Sequence, residues 1–303
     1  MKRAAGLYCA VLIIAVALTP PTVNAMPRKG SDGLMVIAHR GGTGDFPENT
    51  ILAITNAVAE GVDGLWLTVQ ASSDHVPVLF RPSDLSSLTN GTGAVNTKTA
   101  TELLQLNAGW NFGEGNGYPY REQATPIPAL EQVIAAVPPT MPLFLDLKQK
   151  PAAPVVAAVA EVLRRTGALD RATIYSTDAD ITDLALQQQD LQVAESRDVT
   201  RERLLNVALV HRCDPSPSPQ KWAGFELHRN LTITEQFTLG TGVTEVAAEL
   251  WDPESVACFT SQPGSRVIGF AVNTEDDYRF ADKIGVDAVL VDSPRSARQW
   301  REG

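Results

Sequence analysis

A (β/α)8 barrel, closed and carrying an insertion after its third strand, is the fold this sequence predicts. Three observations predict it. Short, almost continuously apolar runs of strand type alternate with helical segments, the pattern of a parallel sheet covered on both faces. Seven or more such units follow one another, which suits a closed barrel better than an open sheet. Only one stretch, residues 83–128, breaks the alternation.

The chain begins with an address. Lys2-Arg3 forms a positive start, Ala10 to Leu18 an apolar core too short to span a bilayer, and Val23-Asn24-Ala25 a small-residue cleavage site. Residues 1–25 therefore read as a secretory signal peptide, and residues 34–296 as one barrel domain. The expected mature protein is secreted or extracytoplasmic, with no transmembrane segment. The whole chain of 303 residues carries 25 Lys and Arg against 35 Asp and Glu, a net charge of -10. An acidic chain lacks the basic surface a nucleic-acid binder needs. With 44% apolar and 20% charged residues, wholesale disorder is excluded.

The first strand is Met35 to Ala38. A helix follows over Thr50 to Glu60, with Asn49 or Thr50 as cap, Ile51, Ile54 and Val58 as apolar stripe, and Gly61 at its end. Leu65 to Val69 is the second strand. A polar turn, Ser72-Ser73-Asp74, leads to a third at Val76 to Phe80. Leu143 to Leu147 is the fourth. Val155 to Arg165 is helical, then strands follow at Thr173 to Tyr175, Gln192 to Ala194, Gly224 to Leu227, Arg266 to Val272 and Ala288 to Val291. A helix over Glu275 to Ile284 separates the last two. The insertion is rich in Gly, Asn, Thr and aromatics, including Gly109-Trp110-Asn111-Phe112-Gly113 and Tyr118-Pro119-Tyr120. Such a segment is either a lid over a site or a packing flap with its own small core. Following a strand, it belongs at the C-terminal mouth, where barrel active sites form.

Three cysteines are too few for a disulfide scaffold or a Cys-rich zinc module. Beyond the leader only Cys213 and Cys258 remain. Export allows them to pair, closing a loop of about 46 residues worth roughly 4 kcal/mol in the chain-entropy model. Two buried free thiols are the equal alternative. The chain holds no Gly-x-Ser-x-Gly elbow, His-Glu-x-x-His, Cys-x-x-Cys or Walker loop. Arg164-Arg165 and Arg201 with Arg203 read as solvated helix faces.

An ordered series of motifs carries a resemblance. His39-Arg40-Gly41-Gly42 leaves the first strand and Pro47-Glu48-Asn49-Thr50 opens the next helix. Gly61-Val62-Asp63, Thr89-Asn90-Gly91-Thr92-Gly93, Ile127-Pro128-Ala129-Leu130, Leu145-Asp146-Leu147-Lys148, Val272-Asn273, Gly285-Val286-Asp287 and Asp292-Ser293-Pro294 follow. From about Leu34 to Pro294 the chain resembles the glycerophosphodiester phosphodiesterases, a branch of the phospholipase-C-like phosphodiesterase barrels acting in lipid metabolism. The resemblance implies a TIM barrel, a small phosphodiester substrate, a calcium or magnesium ion that polarises the phosphate, and two histidines as general acid and base.

The departures from that pattern are specific. The family's Glu-x-Asp on the second strand, two metal ligands, is matched by Trp66 and Thr68. Its His-Asp after the third strand is matched by Arg81-Pro82. Its Glu-x-Lys is Asp146-Leu147-Lys148. A one-residue slip cannot restore ligands, because Gly64, Trp66 and Thr68 share a face and Asp63 lies on the other. His75, in the turn before the third strand and expected away from the mouth, is no substitute for the missing histidine. Calcium prefers six or more oxygens, with several carboxylates. No tight divalent site and no other cofactor are therefore expected.

The matching positions hold Arg40, Arg81 and Lys148 against Asp146, a surplus of positive charge without any ion. Two readings follow. The mouth binds a phosphorylated or other anionic ligand without metal, gripped by Arg40, Arg81 and Lys148; or Arg81 pairs with Asp146 and closes a dead site. Trp66 is either a stacking platform or, the preferred reading, filler for lost volume. His39 remains as a residual general acid or base, and diesterase activity is expected to be absent or very slow. Glu48 supports the loop around His39. Glu226 and Glu249 are either new catalytic bases or polar filler paired with an arginine.

Overall fold

The computed structural model describes residues 33–216 and 221–302. The predicted signal peptide lies outside the described residues. In chain order the elements begin with strand β1 (Met35–His39), helix α1 (Ile51–Ala59), β2 (Gly64–Ala71), β3 (Pro77–Leu79), α2 (Ala100–Leu104), α3 (Leu130–Ala136), β4 (Leu143–Leu147), α4 (Ala152–Thr166), β5 (Ala172–Tyr175) and α5 (Ala179–Leu186). They continue with β6 (Gln192–Val193), α6 (Arg197–Val210), β7 (Trp222–Glu226), β8 (His228–Phe237), β9 (Gly240–Glu249), α7 (Pro253–Phe259), β10 (Arg266–Phe270), α8 (Glu275–Ile284), β11 (Ala288–Val291) and α9 (Pro294–Glu302).

Eight strands are parallel neighbours in the order β6-β5-β4-β2-β1-β11-β10-β7. The seam is bridged where the Glu195 amide donates to the Trp222 carbonyl at 2.8 Å, so the sheet curls into a nearly closed (β/α)8 barrel. Alternation along each strand splits the side chains into two sets. Leu65, Leu67 and Val69 join Leu143, Leu145 and Leu147 in the large core between strands and helices. Ile37, Trp66, Phe144, Tyr175, Ala194, Ile268, Phe270, Ala288 and Leu290 fill the barrel interior. Thr50, whose hydroxyl accepts from the Ala53 amide, caps α1. That helix ends at Glu60, before Gly61 in the left-handed region (φ 79°).

Three expectations are corrected. The third strand is not a stave of the barrel: β3 pairs antiparallel with β2, Val69 opposite Leu79 and Ala71 opposite Pro77. The polar turn closes a hairpin instead of a crossover, because too few residues separate the strands for a parallel return. The hairpin turn consequently leaves β2 at its mouth end, and His75 sits there, exposed, rather than at the far end. Arg203 is not solvated. It is 6% exposed, pairs with buried Glu195 at 2.6 Å and lies over the Phe259 ring at 3.8 Å.

The insertion returns beside β3, where the Leu79 amide donates to the Pro128 carbonyl at 2.9 Å. It has its own core: Leu85, Val95, Leu103, Ala108 and Ile127 pack on Val78 and Phe80. Its aromatics stay outside that core and are half-buried, with Phe112 edge-on to Tyr120 and Arg121 over Tyr118. Cys213 and Cys258 are joined in a disulfide with Cα atoms 5.5 Å apart, tying the segment after α6 to α7. Among the described residues, no helix is long and apolar enough to cross a membrane.

Candidate functional site

At the C-terminal ends of the staves, parallel register brings the predicted residues together. His39 lies opposite Trp66, and Thr68 opposite Asp146, which is opposite Tyr175. The loop after β1 is held in a sharp turn in which Arg40, Gly41 and Gly42 all have positive φ (52°, 78° and 100°). A side chain at Gly42 would sit 2.9 Å from Pro294 Cδ, so the loop requires glycine there to close on the start of α9. The Gly44 amide donates to the Asp292 carbonyl at 2.7 Å, fixing the same loop to the end of β11.

His39 Nδ1–H donates to Asp292 Oδ1 at 2.6 Å. Asp292 is itself oriented: Asn273 Nδ2 donates to its Oδ2 at 2.9 Å, and the Asp292 amide donates to Asn273 Oδ1 at 3.0 Å. The His39 hydrogen bond holds the Asp292 carboxyl below the ordinary carboxylate value. This bond fixes the orientation of the imidazole, with Nδ1 and its proton on the Asp292 side. Neither Asp292 nor Asn273 was assigned a role from sequence, although both stand in the motifs that carry the resemblance.

Arg40 donates to Glu48 Oε2 at 2.5 Å, and Thr43 Oγ1 donates to the same oxygen at 3.1 Å. Glu48 thus supports the loop around His39, as expected. Buried Asn49 accepts from the Thr68 amide at 3.0 Å, pinning that loop to β2. Asp146 is buried, and burial pushes its carboxyl above the ordinary value. Lys148 Nζ lies 3.1 Å from Asp146 Oδ1, and Lys148 and the Trp66 indole N–H both act on the carboxyl against the effect of burial. Lys148 also donates to Thr177 Oγ1 at 2.9 Å.

Trp66, 3% exposed, is locked in the interior. It stacks on Phe144 (ring centroids 5.8 Å apart, planes 12° apart) and meets Tyr175 at 4.9 Å and Phe270 at 5.1 Å. An indole so enclosed is filler and offers no face to a ligand. Arg81 follows β3 directly, its neighbour Phe80 donating through its amide to the Thr68 carbonyl at 3.1 Å. Its side chain is exposed, and no described carboxylate pairs with it. Asp146 pairs with Lys148 instead. Asp63 lies at the opposite end of the barrel, accepting from the Val36 amide and from Arg301. Across the mouth, Arg197 grips both Glu226 oxygens at 2.7 Å, making Glu226 paired filler, while Glu249 is exposed at the base of β9. The Tyr175 hydroxyl, buried without a partner, has its pKa raised by burial. Among the described residues no three of His, Cys, Asp and Glu converge as a metal ion requires.

This arrangement can be compared with known proteins. The family model for the glycerophosphoryl diester phosphodiesterase family matches residues 39–296, from the first site histidine to α9. The chain belongs to that family. It is 63% identical over 303 residues to an uncharacterized protein of Mycobacterium tuberculosis, covering 99% of this chain and 100% of that one. The crystal structure of a glycerophosphoryl diester phosphodiesterase domain from M. tuberculosis superposes with a TM-score of 0.84 at 66% identity, over 89% of this chain and 100% of that chain. An Oleispira antarctica phosphodiesterase, solved with its product sn-glycerol-3-phosphate, gives a TM-score of 0.65 at 24% identity, over 89% and 97% of the two chains, and shares the fold. The glycerophosphodiester phosphodiesterase barrel is thus the frame on which His39, Arg40, Asp146 and Lys148 stand.

Proposed function

We propose that this chain is an exported glycerophosphodiester phosphodiesterase homologue that binds a phosphorylated, anionic small molecule at the barrel mouth without a metal, and that its diester hydrolysis is lost or very slow. The observation that carries the reading is the Lys148–Asp146 ion pair beside the buried Trp66. Where the family pattern has three carboxylates, this chain has an indole, a hydroxyl and one aspartate already neutralised by a lysine. A divalent ion needs several anionic oxygens, and this donor set does not fit one.

Positive charge remains for an incoming phosphate. Arg81 is exposed and unpaired among the described residues, and Lys148 spends its ammonium on one carboxylate and one hydroxyl. Arg40 Nε is buried without an acceptor. An anion contacting these groups gains charge-assisted hydrogen bonds. Export rests on the signal-like segment 1–25.

The test is a calorimetric titration of glycerophosphocholine and of inorganic phosphate with chelator present. Saturable binding is expected, weakened about tenfold or more in Arg81→Ala and Lys148→Ala, since a hydrogen bond to a charged group contributes roughly 1.5–3 kcal/mol. No binding of either compound would remove the proposal. A second reading, residual slow hydrolysis, is favoured by the His39–Asp292 pair, which holds an imidazole ready to exchange protons. It requires measurable release of glycerol phosphate that disappears in His39→Ala.

A further inference from the structure

The interval between β7 and α7 holds a two-stranded ribbon, β8 and β9, joined to the barrel only at its base. Ten residue pairs run from His228↔Glu249 to Phe237↔Gly240. At about 3.4 Å per residue the ribbon is about 30 Å long. It leaves the end of β7, so it rises from the mouth side. Its two faces are both mixed: Glu235 lies between Ile233 and Phe237 on one, and Val243 shares the other with Thr232 and Glu245. The tip is the unusual part. Leu239 is 99% exposed, Val243 62%, Phe237 60% and Ile233 47%. The Phe237 ring lies across Gly242, where a Cβ would come within 2.5 Å of Cε2. From Gln236 to Val243 there is no charged residue, and the flanking charges are Glu235 and Glu245.

We infer that this ribbon tip is a docking element that inserts into the interface of an electrically neutral, zwitterionic lipid surface. The area is too small for a stable dimer. The four exposed apolar side chains offer on the order of 500 Å², against roughly 800 Å² per partner in a standard protein interface. The tip also lacks the charges that set register against a protein partner. A lipid interface requires neither. It requires apolar and aromatic groups at an extremity, no charge to desolvate, and a backbone whose hydrogen bonds are already made. The ladder of β8 on β9 satisfies the last condition. The acidic flanks and the chain's net charge of -10 select a zwitterionic over an anionic surface. This inference does not depend on whether the mouth binds phosphate.

The test places a reporter at the tip of the full chain. Leu239→Trp is mixed with phosphatidylcholine vesicles, with the unaltered chain as baseline. The added indole is expected to shift its emission to the blue and to be quenched by brominated phosphatidylcholine. The double change Phe237→Asp, Leu239→Asp should weaken the partition of the tip at least tenfold, read with a reporter at Val243→Trp. Both positions are exposed, so the barrel should keep its circular dichroism. An indole at 239 that emits as in water with vesicles present would overturn the inference. So would a blue shift without lipid that vanishes on dilution, which would assign the tip to a second copy of this chain. Binding that needs anionic lipid and disappears in salt would also overturn it.

Discussion

At the scale of single residues, the mouth is a set of ions that answer one another. Asp292 gives the clearest pH prediction. Its folded-state value lies below the ordinary 3.8 because His39 donates to it. The stabilisation is therefore complete above 3.8 and is lost as pH falls through the folded value. Urea melts between pH 6 and pH 2 should show Asp292→Asn with a shallower acid limb than the unaltered chain, and equal slopes would remove this account of the pair. Trp66 is a volume prediction. A side chain 3% exposed among three rings leaves a cavity when truncated, so Trp66→Ala should cost about 3–5 kcal/mol in denaturant unfolding. Arg203 belongs to the same scale. Removing it strands buried Glu195, and Arg203→Ala should cost about 3–5 kcal/mol by the same measurement. What the sequence disclosed at this level was identity without partnership. His39, Arg40, Asp146 and Lys148 were legible from their motifs. Asp292 comes 253 positions after His39, and only closure of the barrel makes the two neighbours.

Elements differ in how plainly they are written. Barrel strands were legible because burial on both faces leaves continuous apolar runs such as Leu143 to Leu147. The β2–β3 hairpin was misread as two staves because an apolar run gives no direction; direction is set by the short polar turn at Ser72 to His75. The β8–β9 ribbon went unrecognised, although Leu231, Ile233 and the Gly240–Gly242 pair show alternation and turn chemistry. Its Thr-rich strands face solvent and lack the apolar continuity by which the other strands were found. The disulfide was equally balanced in sequence, since spacing alone cannot choose between pairing and burial. It joins the segment after α6 to α7, so Cys213→Ser should lower stability by about 2–4 kcal/mol in chemical denaturation under oxidising conditions. Equal midpoints for the two chains would mean that the link constrains nothing in the unfolded state.

For the whole molecule, a protein of net charge -10 gathers Arg40, Arg81, Lys148 and Arg197 around one end of its barrel. Three of the four already hold a carboxylate: Glu48, Asp146 and Glu226. With Asp292 beside His39, four cations face four carboxylates at the mouth, and among the described residues Arg81 is the cation of this set that has no carboxylate partner. Family membership describes descent and frame, whereas the chemistry rests on what stands at the ends of β2, β3 and β4. If the correspondence of positions is right, the triple change Trp66→Glu, Thr68→Asp, Arg81→His should confer calcium binding. The most direct measurement is a calorimetric titration of calcium into the unaltered chain beside that triple variant. No saturable heat is expected for the unaltered chain, and single-site binding for the variant. One tightly held calcium in the unaltered chain, lost on Asp146→Asn, would overturn the metal-free reading of the mouth.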